Sequence, residues 1–213
     1  MARRPTSPFT LVLLVRHGTT PTTGAKLPGR SPGLHLSDTG REQAESVAER
    51  IEALGSVGAV YASPLERTRE TAAPIARRAK KRVRVNRDLV DLDTGEWTGR
   101  RLSDLRRRKE WGHVQRNPSG FRFPGGESFV EMQARMLAAI ESIIAHHRGE
   151  VVVAVSHADP IRAVVAHALG THLDLFQRLV VSPCSVSAIA YSGGGPMVLA
   201  VNSTSDLGAL GPS

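Results

Sequence analysis

The chain has 213 residues, 40% apolar and 23% charged, and 28 lysines and arginines against 20 aspartates and glutamates give a net charge of +8. That balance excludes whole-chain disorder, and the longest apolar runs, Leu11 to Val15 and Val151 to Val155, fall far short of the roughly 18 residues of a membrane span. The single cysteine, Cys184, forbids an internal disulfide and a cysteine-rich zinc site, and the short N-terminal apolar stretch is broken by Arg16 before reaching signal-peptide length. One domain over 1–213 in the cytoplasm is therefore predicted, with flexible tails at about 1–9 and 205–213.

In chain order, the continuous apolar run Thr10 to Val15 predicts a strand buried on both faces, ending at Arg16-His17-Gly18. Helical spacing of Ala44, Val47, Ala48, Ile51 and Leu54 predicts a helix over 37–54, with Ser37 as N-cap and Gly55 as the stop. Val57 to Ala62 reads as a second strand running into Ser63-Pro64, read as a cap and first-turn proline of a helix that carries Arg67 and kinks at Pro74. Val83 to Val85 is a weaker strand and Asp88 to Gly99 a loop. Phe129, Met132, Met136, Ile140, Ile143 and Ile144 mark one side of a helix over 127–147. Val151 to Val155 is the clearest strand, followed at Asp159-Pro160 by another cap and first-turn proline. Val186 to Tyr191 and Met197 to Val201 predict a terminal hairpin.

Alternating strands and helices predict a three-layer α/β/α fold with a mostly parallel central sheet, in which ligands bind beyond the carboxyl ends of the strands. Three strand-to-helix junctions deliver Arg16 and His17, Arg67, and His157 to that edge. Two arginines, two histidines and a helix N-terminus suit a phosphate monoester, because guanidinium forks and N-terminal amides both bind phosphoryl oxygens. A histidine neutral at its attacking nitrogen could take the phosphoryl group, with a carboxylic acid protonating the leaving oxygen.

The six residues Leu13 to Gly18 resemble the signature of the histidine phosphatase, or phosphoglycerate mutase-like, superfamily. Ser63 to Thr68 resembles its second arginine motif, Pro124 to Ser128 its PGGES segment, and Ser156-His157-Ala158 its second-histidine motif. Leu36 to Gly40, Asp174 to Arg178 and Ser185 to Ser187 bring the chain closest to an actinobacterial branch of phosphomutase-like proteins. The resemblance implies a phosphohistidine on His17, phosphoryl binding by Arg16, Arg67 and His157 with help from the Ala158 amide, and no metal or other cofactor. It implies a small phosphorylated substrate, with no nucleic acid or membrane partner, and a monomer or homodimer. Two positions depart from the family pattern. Asp91 stands where the family's acid is usually glutamate, with Glu96 as the second candidate, and Thr23 stands near a common asparagine and is carried as a possible phosphate contact.

Three functions remain open at this point: a metal-independent hydrolase or mutase working through phosphohistidine, a metal-dependent phosphoesterase drawing on His157 and Asp159, and a non-catalytic phosphate or nucleic-acid binding module. The last is motivated by basic runs at 77–84 and 100–109, although neither contains an aromatic residue for base stacking. Hydrolase is favoured over mutase because the stretch from Trp97 to Phe123 has few apolar residues to seal the site from water. His35, His146, His147, His167 and His172 are expected to be surface or structural, and Cys184 a small core residue.

Overall fold

The computed structural model describes residues 9–205; the predicted flexible tails lie almost wholly outside the described residues. Six strands, β1 (Thr10–Arg16), β2 (Ala59–Ala62), β3 (Val83–Val85), β4 (Val151–Ser156), β5 (Val186–Ser192) and β6 (Gly195–Ser203), form one sheet in the order β3-β2-β4-β1-β5-β6. β1, β2, β3 and β4 pair in parallel, while β5 is antiparallel to both β1 and β6. β1 and β4 lie at the centre, which is why their sequences are continuously apolar instead of alternating.

The two-residue period of the strands sorts their side chains into two cores. Leu11, Leu13, Val15, Val153 and Val155 pack against α1 (Asp38–Glu52) and α2 (Glu66–Arg78). Val12, Leu14, Val152 and Ala154 pack against Met136, Ile140 and Ile143 of the long helix over Phe129–His146, and Ile161 and Val164 of the helix over Ala158–Ala168. The three-layer α/β/α arrangement predicted from the sequence is therefore what forms.

Helix boundaries show which local signals the chain uses. Ser37 caps α1 by accepting from the Gly40 N–H at 3.1 Å, and Ser128 and Glu131 form a reciprocal capping box at the long helix. α2 departs from the predicted cap. Leu65, not Ser63, occupies its N-cap position, and the helix runs through Pro74 without interruption to Arg78. The Ser63 hydroxyl is instead committed to His157, as described below. The helix over Ala158–Ala168 likewise begins earlier than predicted, with His157 at the N-cap and Asp159 inside the first turn, where its carboxylate holds Arg162 at 2.9 Å.

The stretch from Asp88 to Phe123 is more structured than its sequence suggests. Besides 3-10 turns at Arg87–Leu89 and Gly95–Trp97, it contains α3 (Leu102–Leu105) and α4 (Trp111–Arg116). Leu92, Trp97, Leu105, Val114 and Phe123 are all buried in a third core with Phe129, Met132 and Phe176. The apolar residues of 97–123 join this core because their rings interlock, Trp97 meeting Phe123 edge-on at 5.3 Å between centroids. We number the two remaining helices α5 (Phe129–His146) and α6 (Ala158–Ala168).

One contact fixes the loop after β1. The backbones of Gly18 and Gly40 approach so closely that a Cβ on Gly18 would lie 2.5 Å from the Gly40 carbonyl oxygen, and one on Gly40 2.0 Å from that of Thr19. The first turn of α1 is thereby pressed onto the residue following His17.

Candidate active site

Sheet register assembles the site. Arg16 is paired with Ser156 and Ala62 with Val155, so His17, Ser63 and His157 leave adjacent parallel strands at one level. The imidazoles of His17 and His157 meet edge-on with centroids 5.2 Å apart. Nδ1 of His17 lies 2.8 Å from the Gly18 carbonyl oxygen, which can only accept, so Nδ1 carries the proton and Nε2 is left with its lone pair. Burial, reinforced by the nearby Arg67 and Arg16 cations, pushes the His17 pKa down to about 3, so the ring is neutral at physiological pH.

Arg67, in the first turn of α2, is completely buried. One terminal nitrogen reaches both the Gly29 carbonyl at 2.8 Å and the Asp91 carboxylate at 3.3 Å, the other reaches the Ser31 carbonyl at 3.5 Å, and its Nε has no hydrogen-bond partner. Arg16 binds the Val181 carbonyl through one terminal nitrogen at 2.7 Å and also leaves its Nε unpaired. His157 shares a hydrogen bond with Ser63 Oγ at 2.9 Å, and its Nδ1 lies 3.5 Å from Asp91. Burial, with Arg67 next in effect, holds His157 well below the usual histidine range.

Asp91 sits between these cations in a largely buried position. Burial raises its carboxyl pKa to about 6, against the opposing pull of Arg67. A carboxylic acid poised there can exchange a proton near neutral pH. Glu96, the other acid considered, is exposed on the 3-10 turn over Gly95–Trp97, its backbone carbonyl bound to Arg100, and is not part of the cleft wall. The structure therefore brings together Arg16, His17, Arg67, Asp91 and His157, and excludes Glu96.

Arg16, His17 and Asp91 line a cleft of about 250 Å³ whose wall also includes Thr20, Thr23, Lys26, Leu27, Ala158, Asp159 and Arg162, while Arg67 and His157 are buried beside Asp91 and do not line it. Thr23 Oγ1 accepts from the Thr20 N–H at 2.9 Å and lies 3.0 Å from the Thr20 hydroxyl, so its hydroxyl helps order the loop it faces. Ala158 stands at the first position of α6, where an unpaired amide is available to an anion.

Residues that the sequence analysis passed over hold the acid in place. Glu127, within the Pro124 to Ser128 motif, is gripped by Arg135 through two bonds of 3.0 Å and by Arg30 at 3.0 Å, while Arg30 also donates to the Asp91 carbonyl at 2.9 Å. Ser63, read from the sequence as a helix cap, bonds His157 instead; its place immediately after a strand, beside the strand that ends at His157, was the available signal. Outside the cleft, His147 is a buried structural residue bonded to Tyr61 and Glu150, His35 pairs with Glu70, and Cys184 is buried. Among the described residues no three His, Cys, Asp or Glu side chains are grouped to hold a metal ion, and no helix is long and apolar enough to cross a membrane.

Residues 12–204 match the family described as histidine phosphatase superfamily (branch 1). A Mycobacterium tuberculosis relative described as uncharacterized protein Rv0525 is 36% identical over 189 residues, covering 86% of this chain and 91% of its own. Probable phosphoglycerate mutase GpmB of Proteus mirabilis is 34% identical over 184 residues, 84% of each chain, and phosphoserine phosphatase 1 of Hydrogenobacter thermophilus 29% identical over 185 residues, 84% of this chain and 87% of that one. Among solved structures, Bacillus stearothermophilus YhfR superposes with a TM-score of 0.85 at 27% identity, over 92% of this chain and 98% of the other. With the family pattern running through nearly the whole sequence and the paired arginines and histidines gathered at one sheet edge, the chain belongs to the histidine phosphatase superfamily.

Proposed function

We propose that the protein is a cytoplasmic, metal-independent phosphomonoester hydrolase that works through a phosphohistidine on His17. The observation that carries this reading is a neutral, buried imidazole with Nδ1 held by the Gly18 carbonyl and Nε2 free, set among Arg16, Arg67 and His157. Nε2 attacks phosphorus and the P–O bond to the leaving alcohol breaks, while Asp91 gives its proton to the departing oxygen. Water then attacks the phosphoryl group on Nε2, with Asp91 taking its proton, and the P–N bond breaks to release phosphate and restore neutral His17. Arg16 and Arg67 spread the charge on the transferring group, assisted by His157 and the Ala158 amide. The unpaired Nε atoms of both arginines supply donors for that purpose.

A phosphomutase using the same intermediate is the second reading, supported by the similarity to GpmB. The charged and hydroxyl groups on the cleft wall, among them Lys26, Asp159, Arg162 and Thr20, favour water as the acceptor. Incubation with a panel of phosphomonoesters should release inorganic phosphate at a rate that EDTA leaves unchanged. Isomerised phosphomonoester without phosphate release would identify a mutase, and loss of activity with EDTA would overturn the metal-independent mechanism.

Asp91 gives a sharper expectation. As the proton donor it must be protonated for the first step, so kcat for an alkyl phosphate should fall as pH rises through about 6. Asp91→Asn should slow a sugar phosphate by on the order of 10² to 10⁴-fold, spare p-nitrophenyl phosphate most of that loss in the first step, and abolish the fall above pH 6. Rapid-quench measurement of the first turnover isolates that step. Equal losses on both substrates would remove Asp91 from the donor role, and Glu96→Gln, exposed on its turn, serves as the control.

A further inference from the structure

Arg16 is held from one place. One terminal nitrogen of its guanidinium donates to the Val181 carbonyl at 2.7 Å, its backbone N–H donates to the Ser185 carbonyl at 3.3 Å, and its carbonyl accepts from the Cys184 N–H at 3.0 Å. All three bonds run to the turn over 181–185 that leads into β5. Arg16 lines the cleft and its Nε has no protein partner, so the tie to Val181 sets the plane in which the remaining donors meet a phosphoryl oxygen.

That turn is strained, and a residue of the edge strand secures it. Cys184 has a φ of 52°, in the left-handed region that a residue other than glycine keeps only where its surroundings hold it. Asn202 of β6 supplies the hold: its Oδ1 accepts from the Ser182 N–H at 2.6 Å, and its own N–H donates to Ser187 Oγ at 3.2 Å. Asn202 is itself left-handed, with a φ of 57°, so two of the three non-glycine residues with such a φ among the described residues meet at the Arg16 turn; the third, Lys80, follows the end of α2. Strand pairing is broken to allow this. Val186 faces Ser203 but Ala188 faces Ala200, one residue more on β6 than on β5, and Asn202 lies in the resulting bulge, a device that re-aims a side chain at the cost of a ladder bond.

We propose that Asn202 is a positioning residue for phosphoryl binding, acting through Ser182 and Val181 on the aim of the Arg16 guanidinium. The inference rests on the phosphatase reading and adds to it a residue outside the cleft wall, since neither Asn202 nor any residue of 181–185 lines the cleft. Asp159, on the cleft wall and close enough to act on the Arg16 charge, is the competing partner for a guanidinium released from Val181. Asparagine suits the position twice over, tolerating the left-handed backbone and carrying an acceptor of the right length.

Three substitutions and one double variant test it. Asn202→Gly keeps the backbone conformation and removes the acceptor, and should lower kcat/KM for p-nitrophenyl phosphate by on the order of 10 to 100-fold under conditions where urea denaturation shows it fully folded. Asn202→Ser, too short to reach Ser182, should behave alike and serves if the glycine variant does not fold. Asn202→Asp restores an acceptor and should stay within about threefold of wild type. In an Arg16→Ala background Asn202→Gly should cost less than about threefold more, because the group it aims is gone. Wild-type kinetics in folded Asn202→Gly or Asn202→Ser, or the full loss repeated in the Arg16→Ala background, would overturn the proposal. Calorimetric binding of inorganic phosphate gives the same comparison without turnover: affinity should fall in Asn202→Gly, and no further in Arg16→Ala/Asn202→Gly than in Arg16→Ala. A wild-type protein that binds phosphate in this pattern but hydrolyses no phosphomonoester would count against the phosphatase reading and leave the positioning role standing, whereas phosphate affinity unchanged by Asn202→Gly would count against Asn202.

Discussion

His17→Ala should lower turnover of every phosphomonoester by on the order of 10⁴-fold or more, the scale on which loss of a nucleophile is felt when the remaining groups still bind substrate. The fold should survive. The imidazole's one hydrogen bond joins adjacent residues, His17 and Gly18, so its loss removes about 1 kcal/mol of local interaction, or about 2–4 °C in Tm for a chain of this size. The sign of the pH dependence offers a second check. His17 is held neutral down to about pH 3 in the folded chain, whereas an unfolded histidine takes up a proton near pH 6.5. Between those values the unfolded state binds more protons, so the wild type loses stability as pH falls from 6.5 towards 3. The alanine variant lacks this contribution, and its stability should fall less over the same interval. Brief incubation of the wild type with substrate, quenched at neutral or alkaline pH because phosphohistidine is acid-labile, should give a phosphoryl adduct on His17 by mass spectrometry. Near-wild-type turnover in the variant, or an adduct on another residue, would dismiss the assignment.

Arg67→Lys keeps the charge and discards the fork. The arginine is completely buried and holds the Gly29 carbonyl and Asp91 at once, while keeping Nε free of any protein partner. A lysine ammonium cannot serve these groups and a phosphoryl oxygen together, so kcat/KM should fall by on the order of 10² to 10³-fold. Stability should fall as well, by about 1–3 kcal/mol, because Gly29 and Asp91 lose a buried donor. The two effects separate experimentally: the stability loss appears in urea denaturation, and the catalytic loss in assays under conditions where the variant is fully folded. A lysine variant with normal kinetics would place Arg67 outside phosphoryl transfer and leave it a structural tie between the Gly29 loop and Asp91.

The fold was legible because its central strands obey a simple rule. β1 and β4 are continuously apolar from Leu11 to Val15 and from Val151 to Val155 since both faces are covered, and each ends abruptly in a histidine-containing polar segment. Ser37 likewise marked the start of α1, whereas the helix ends at Glu52 with Ala53 as its C-cap, and Gly55, with φ of +96°, follows two residues later in the turn beyond it. Misreadings arose where one residue had two uses. Ser63 has the side chain of a helix cap but spends its hydroxyl on His157, and Asp159 has that of a cap but pairs with Arg162 one turn later. Local propensity could not reveal the partner of Ser63, since Ser63 and His157 are brought together only by strand pairing, whereas Arg162 lies three residues from Asp159 and was legible as an i,i+3 pair. The segment from Leu92 to Phe123 was opaque for a different reason: its small core draws on Phe129, Met132 and Phe176, which no short window contains.

The Gly18–Gly40 contact divides the cleft into a side that can diversify and a side that cannot. Two backbones meet there without intervening side chains, so the aim of the His17 imidazole has no flexible atoms to absorb a change, and even a methyl group at Gly40 would be transmitted to the carbonyl that orients the ring. The opposite wall, carried by Lys26, Leu27 and Leu102, is built from side chains whose exchange alters shape and charge while the phosphoryl-transfer groups keep their positions. A chain built this way can acquire new substrates by drift on that wall alone, while the backbone of α1 behind the His17 loop stays fixed.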